Sequence, residues 1–238
     1  MSNIRKAFLN GKAFIPFITC GDPDLESTKR YVRAMAAAGA DLIELGIPFS
    51  DPTAEGPVIQ AANLRALSGG VTTDSVFQMV RELRAELTTP LVFMTYANVV
   101  FSYGIEKFVS KAEAAGIDGI IIPDVPFEES AEFAPSFESR GIDYISMIAP
   151  TSKARIREIA AKAKGFLGVT GERQEIETDL KSMLAQVRAA KPELPAAIGF
   201  GISTPEQAKS MGAIADGVIV GSAIMRIIGE KGQEAETE

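Results

Sequence analysis

Strand-like and helix-like segments alternate eight times along this 238-residue chain, which predicts an α/β protein folded as a (β/α)8 TIM barrel. Four approaches to a strand look alike: AGAD, AGID and RGID before the second, fourth and fifth, and AIAD before the eighth. A third observation concerns what is missing. No GxGxxG follows the first strand and no P-loop is found, so the usual reasons for an open doubly wound sheet, the competing architecture, are lacking. Parallel strands joined by right-handed crossovers follow from the alternation itself.

The elements can be justified in order. Met1 to Lys12 mixes charges with apolar residues and has no long apolar run, so it does not read as a signal peptide. The strands, rich in apolar or β-branched residues, are Ala13–Thr19, Leu42–Gly46, Leu91–Tyr96, Gly119–Pro123, Tyr144–Ile148, Phe166–Val169, Ala196–Phe200 and Gly217–Val220. Helices are read from apolar residues at helical spacing in Glu26–Ala38, Val76–Leu87, Ile105–Ala115, Ala154–Ala163 and Leu180–Ala190. Asp22 before Pro23 fits an N-cap with proline at the first helical position. Gly39, Gly116 and Gly141 fit the left-handed position that ends a helix, and Ala215 stands in that region before the eighth strand. Ser203 and Glu206 have capping-box spacing, and another helix starts near Ser222. After Ile228 the sequence GEKGQEAETE is polar and aperiodic, so 229–238 is expected to be a frayed tail of one domain spanning 1–238.

Composition narrows the function. A formal net charge of −7 argues against nucleic acid or an anionic membrane as partner. A lone cysteine, Cys20, rules out an internal disulfide, and no run is long enough to span a bilayer; a cytoplasmic protein is expected. The chain has no histidine, so carboxylates are the leading candidates for proton transfer near neutral pH. No lysine ends a strand, which removes a Schiff-base nucleophile, and no His or Cys cluster suggests a metal site.

The most informative stretch is Glu44–Pro57, ELGIPFSDPTAEGP. Leu42, Glu44 and Gly46 share one strand face while Ile43 and Leu45 share the other. The bulky pair suits the helix ring, which turns Glu44 into the barrel mouth, where desolvation should raise its pKa. Asp51 and Glu55 lie on the loop that follows. Asp124, between Pro123 and Val125, reads equally well as a site residue or as a turn-stabilising Asx. In barrels of this kind, ligands bind where the strands' C-terminal ends meet their loops. The small residues of GFGIS and VGSAI, with a helix start beside the second, favour a phosphate there. Phe17, Tyr96 and Phe200 on the same rim suggest an apolar or aromatic moiety next to it.

Taken in order, PFITCGDP, ELGIPFSDPTAEGP, MTYANVVFSYG, IIPDVPFEES, GVTG, GFGIS and VIVGSAI resemble the tryptophan synthase α-chain family over nearly the whole chain. The resemblance implies a lyase that cleaves indole-3-glycerol phosphate to indole and glyceraldehyde 3-phosphate. It implies a β chain as partner, in an α2β2 assembly, with pyridoxal phosphate on that partner and no cofactor on this chain. Position by position it makes Glu44 the catalytic acid–base and places Glu55 where the family usually has an aspartate facing the indole N–H. Phe17, Tyr96, Asp124, Thr170, Gly171, Phe200, Gly201, Gly221 and Ser222 match substrate-binding positions, and Asp51, Pro52 and Asn98 match positions near the partner interface.

Three departures from the family stand out. Glu replaces Asp at 55. The sixth strand, in GFLGVTG (Gly165–Gly171), is shortened and lacks a substrate-lining tyrosine. A final helix is truncated after GSAI. A weakly catalytic subunit that mainly activates the β chain is the alternative these departures motivate. Loops around Ile47–Pro57 and Gly168–Thr178 are expected to close over the ligand.

Overall fold

The computed structural model describes residues 3–152, 154–170, 177–199 and 201–237. Nine strands form one parallel sheet: β1 Ala13–Thr19, β2 Ile43–Gly46, β3 Leu91–Met94, β4 Gly119–Ile121, β5 Asp143–Tyr144, β6 Ser146–Ile148, β7 Leu167–Val169, β8 Ala196–Ile198 and β9 Gly217–Val220. Their order is β5-β4-β3-β2-β1-β9-β8-β7-β6. The two ends of that order are halves of one stave. Asp143 and Tyr144 pair with β4, Ile145 N–H donates to Ile120 O at 2.9 Å, and Ser146–Ile148 pair with β7. The sheet therefore closes into an eight-stave barrel through a single residue, Ile145.

The sixth stave, β7, is short in the sequence yet does not open the wall. Leu167, Gly168 and Val169 are in register with Ser146–Ile148 on one side and Ala196–Ile198 on the other. Thr170 N–H continues the ladder to Ile148 O at 2.9 Å. The barrel shares this three-residue length with β4, β6 and β8, so one wall is thin rather than broken.

Around the sheet run α1 Asn3–Lys6, α2 Leu25–Ala37, α3 Pro57–Ser68, α4 Thr73–Arg84, α5 Ala97–Tyr103, α6 Ile105–Ala115, α7 Ala134–Glu138, α8 Ile156–Lys162, α9 Glu177–Ala190, α10 Pro205–Ile214 and α11 Ser222–Lys231. Strand parity divides the core in two, as side chains alternate across a strand. Ile15, Leu42, Val92, Ile121, Ile145, Phe166 and Ala197 fill the interior, while Ile18, Ile43, Leu45, Phe93 and Ile120 pack against helices. Ile4 of α1 plugs the lower end: a Cβ on Gly119 would lie 2.6 Å from its Cδ1. The strands' C-terminal ends form the mouth.

Glycines 39, 116 and 141 take the positive φ expected of helix-ending residues (+96°, +82° and +74°). Two caps differ from the sequence reading. The Asp22–Pro23 peptide is cis, and the N-cap of α2 is Asp24, whose carboxylate accepts from Ser27 N–H at 2.6 Å. Asp22 is instead buried against Arg65. At α10 the cap is Thr204 rather than Ser203: its hydroxyl accepts from Gln207 N–H, and Gln207 Oε1 accepts from Ser203 N–H at 2.7 Å. Proline at 205 sets the frame, because it favours the first helical position.

The polar tail also departs from the expectation of fraying. Gly232–Thr237 forms 3-10 turns that dock on α2. Tyr31 O–H donates to Gly232 O at 2.5 Å, and Gln233 Nε2 donates to Asp24 Oδ2 at 3.1 Å. Backbone acceptors hold this segment, and hydropathy patterning is blind to them.

Candidate active site

Glu44 sits near the end of β2, opposite Phe17 of β1 in the ladder. It is 3% exposed, and its Oε1 has no hydrogen-bond partner among the described residues. Burial alone pushes its pKa up to about 8. Its inward neighbours in the sheet are Leu42 below and Gly46 above, while Ile43 and Leu45 face the helices. The outcome is a carboxylic acid kept protonated near neutral pH in an apolar barrel mouth. A salt-bridged structural carboxylate would have been held low instead.

Phe17 closes one side of this mouth. A Cβ on Gly46 would come within 2.7 Å of its ring, and one on Gly221 within 3.2 Å, so the ring fills the space between the second stave and the turn after the eighth. Met94, Met147 and Ile219 are half-buried on top of the interior core and form the floor. On the far side, Gly221 caps α11 without a side-chain bond, and Ser222 opens that ten-residue helix. Its first backbone N–H groups and positive end are therefore free of an internal cap, which suits an anion. Gly201 takes a left-handed φ of +68°. Gly171 and Phe200 lie outside the described residues.

Tyr96, at the N-cap of α5, joins the second loop to the site. Its hydroxyl accepts from Ala54 N–H at 3.1 Å and acts electrostatically on the Glu55 carboxylate, and its ring packs 5.2 Å from that of Phe49. Glu55 is half-buried, and Asn63 Nδ2 donates to its Oε2 at 2.9 Å. Burial raises the Glu55 pKa while Asn63 and Tyr96 oppose the rise. Burial and the nearby acids Glu55 and Asp124 push the Tyr96 phenol up.

Asp124 is exposed and accepts from Ala97 N–H at 3.0 Å, holding the first turn of α5 across the gap between strands. Thr170 is half-buried at the tip of β7. Asp51 and Asn98 are exposed and Pro52 is half-buried; Asp51 bonds Ser50, and Asn98 accepts from Ser102. Among the described residues no cluster of His, Cys, Asp or Glu could hold a metal ion, and no helix is long and apolar enough to cross a membrane.

Sequence reasoning missed Asn63, Phe49 and the methionine floor. Asn63 was findable in principle, as an amide flanked by Ala61, Ala62 and Leu64 in PVIQAANLRALS. That helix is apolar on most sides, so no stripe marked it as one.

A parallel α/β barrel with a protonated acid and an anion-ready helix start at one mouth defines a barrel enzyme of acid–base chemistry on a phosphorylated small molecule. A sequence model described as "Tryptophan synthase alpha chain" matches residues 4–238. The chain belongs to the tryptophan synthase alpha chain family, whose reaction is the carbon–carbon cleavage of indole-3-glycerol phosphate. It is 48% identical over 241 residues to the alpha chain of Lacticaseibacillus casei, covering 99% of this chain and 90% of that one. It is 50% identical over 235 residues to that of Lactiplantibacillus plantarum, covering 96% and 89%. The crystal structure of the alpha chain from Legionella pneumophila superposes with a TM-score of 0.90 at 36% identity, covering all of this chain and 92% of that one. A chain of the tryptophan synthase complex from Pyrococcus furiosus gives 0.87 at 38%, covering 95% and 94%.

Proposed function

We propose that this chain cleaves indole-3-glycerol phosphate to indole and glyceraldehyde 3-phosphate with Glu44 as the acid–base group and Glu55 as its partner. The observation that carries the reading is a buried Glu44 with an unpartnered oxygen and a pKa raised into the working range. Protonated Glu44 delivers its proton to the indole C3 while Glu55 withdraws the N–H proton, giving the indolenine tautomer. The Glu44 carboxylate then takes the proton of the glycerol hydroxyl beside the ring. That hydroxyl becomes the aldehyde, the bond to C3 breaks, and its electrons return through the ring to nitrogen, which regains a proton. Phe17 packs against the indole, and the backbone at Gly201, Gly221 and Ser222 holds the phosphate at the start of α11. Thr170 adds to the lining, and Gly171 and Phe200 match family positions for the same ligand. Asp124 contributes through Ala97 and so places Tyr96.

The partner is the β chain in an α2β2 complex that carries pyridoxal phosphate, in the cytoplasm. A similar chain from Pyrococcus furiosus belongs to a tryptophan synthase a2b2 complex, and the exposed Asp51 and Asn98 with Pro52 offer a face for such a partner. The test is indole release from indole-3-glycerol phosphate by the complex. Glu44→Gln should abolish it with the fold intact; unimpaired release would overturn the role. Glu55, where the family usually carries aspartate, favours a second reading as a mainly β-activating subunit. That reading expects β-chain activation without indole formation.

A further inference from the structure

Glu55 is held at both ends by the helix that follows it. Gln60 Nε2 donates to its backbone oxygen at 2.8 Å, and Asn63 Nδ2 to its carboxylate at 2.9 Å. Residues 60 and 63 are three apart on α3 and so lie on one face. Asn63 is only 4% exposed, between the buried Ala62 and Ala66. A buried amide is costly without partners, and a small apolar residue would pack there at lower cost, so its hydrogen bond needs a reason. An ionised carboxylate can only accept, which fixes the amide with its nitrogen toward Glu55.

The helix that carries this amide is itself pinned. Arg65 Nε and Nη2 grip Asp22 Oδ1 and Oδ2 at 2.8 and 2.7 Å, tying α3 to the loop after β1. Tyr96 reaches Glu55 from the end of β3, with Asp124 acting on Tyr96 from the loop after β4. Among the described residues, the side chains that act on the Glu55 carboxylate are Asn63 and Tyr96.

We infer that Asn63 is a positioning residue for the cleavage, fixing the direction of the Glu55 carboxylate and keeping it an acceptor. The inference rests on the reading of Glu55 as the group that takes the indole proton. The extra methylene of Glu55 gives its carboxylate a rotor that an aspartate lacks, and the bond from Asn63 removes that freedom. Holding the charged form also offsets the rise that burial imposes.

The experiment combines the Asn63→Leu variant, near-isosteric and donor-free, with two readouts. In 13C-glutamate NMR the Glu55 midpoint should move up by about one pH unit, and the acidic limb of kcat/KM should move with it. kcat should fall by about tenfold with KM changed less than about twofold, as expected of a misdirected group rather than lost binding. Asn63→Leu should cost nothing further in a Glu55→Gln background, and Asn63→Gln should recover part of the rate. An unmoved midpoint and limb would overturn the inference; Asn63→Ala gives the same readouts should the leucine variant not fold. The midpoint is measured without turnover. Full activity of Glu55→Gln would therefore sink the role of Glu55 while the NMR shift still reports whether Asn63 controls it.

Discussion

Phe17 and Glu44 stand opposite each other across the β1–β2 ladder, both facing inward at the barrel mouth. Registered residues on one face of neighbouring strands are side-chain neighbours, so the Phe17 ring is part of the apolar wall that keeps Glu44 uncharged. Phe17→Ala should therefore admit water and lower the Glu44 pKa from about 8 toward 4.5. The basic limb of the kcat profile should move to lower pH by about one unit or more. A basic limb that stays in place would mean that other walls set the desolvation.

Glu44 also makes stability depend on pH, with a definite sign. Its folded pKa of about 8 lies above the ordinary 4.5, so the native state keeps a proton that the unfolded chain has lost. Its contribution is fully present below about pH 4.5 and is lost as pH rises through 8. Glu44→Gln should remove that slope, and at pH 8.5 the variant should be more stable by a few kcal/mol on the order-of-magnitude scale of such shifts. Urea unfolding followed by circular dichroism at pH 5, 7 and 8.5 checks it. The variant should be a better-folded protein and a dead enzyme.

Gly46 is where the second stave meets the Phe17 ring. A methyl there would lie 2.7 Å from Cζ, and Gly221 backs the same ring, so it cannot retreat toward the eighth stave. Gly46→Ala should cost about 1–3 kcal/mol by overpacking and raise KM for indole-3-glycerol phosphate by roughly tenfold or more. Calorimetry and steady-state kinetics would measure the two effects.

The sequence revealed the parts of this molecule that follow from period and parity. Strands Ala13–Thr19 and Gly217–Val220 and helix Ile105–Ala115 fall where alternation and helical spacing put them. The inward turn of Glu44 followed from Ile43 and Leu45 needing the helix ring. What stayed hidden depends on contacts between residues far apart in the chain. Asp22 looked like a cap because Pro23 follows it, and its true partner, Arg65, is 43 positions away. Helix α3 escaped because apolar residues on most of its faces leave no amphipathic stripe. The handover of β5 to β6 at Ile145 was invisible because both halves read as one strand, and they are one stave.

The Asp22–Arg65 pair offers a test of how the loops are tied together. Asp22 is 1% exposed, and its carboxylate receives both arms of a guanidinium whose side chain is 41% exposed. Removing the arginine leaves a buried carboxylate without its bidentate partner, a loss larger than that of a surface ion pair. Arg65→Met should cost about 2–3 kcal/mol after allowance for the solvent on the arginine side. Adding Asp22→Leu should return part of that loss, because the stranded charge goes with it. The chain has no tryptophan, so unfolding is best followed by far-ultraviolet circular dichroism in urea. Arg65 also lies two residues beyond Asn63 on the same helix, and slack in α3 reaches the Glu55 carboxylate through that amide. Arg65→Met should thus lower kcat as well as stability, while Arg140→Met, which breaks the half-exposed pair with Glu113, should change neither by more than a small amount. Equal, small effects from both variants would show that the pair at Asp22 is dispensable to the site.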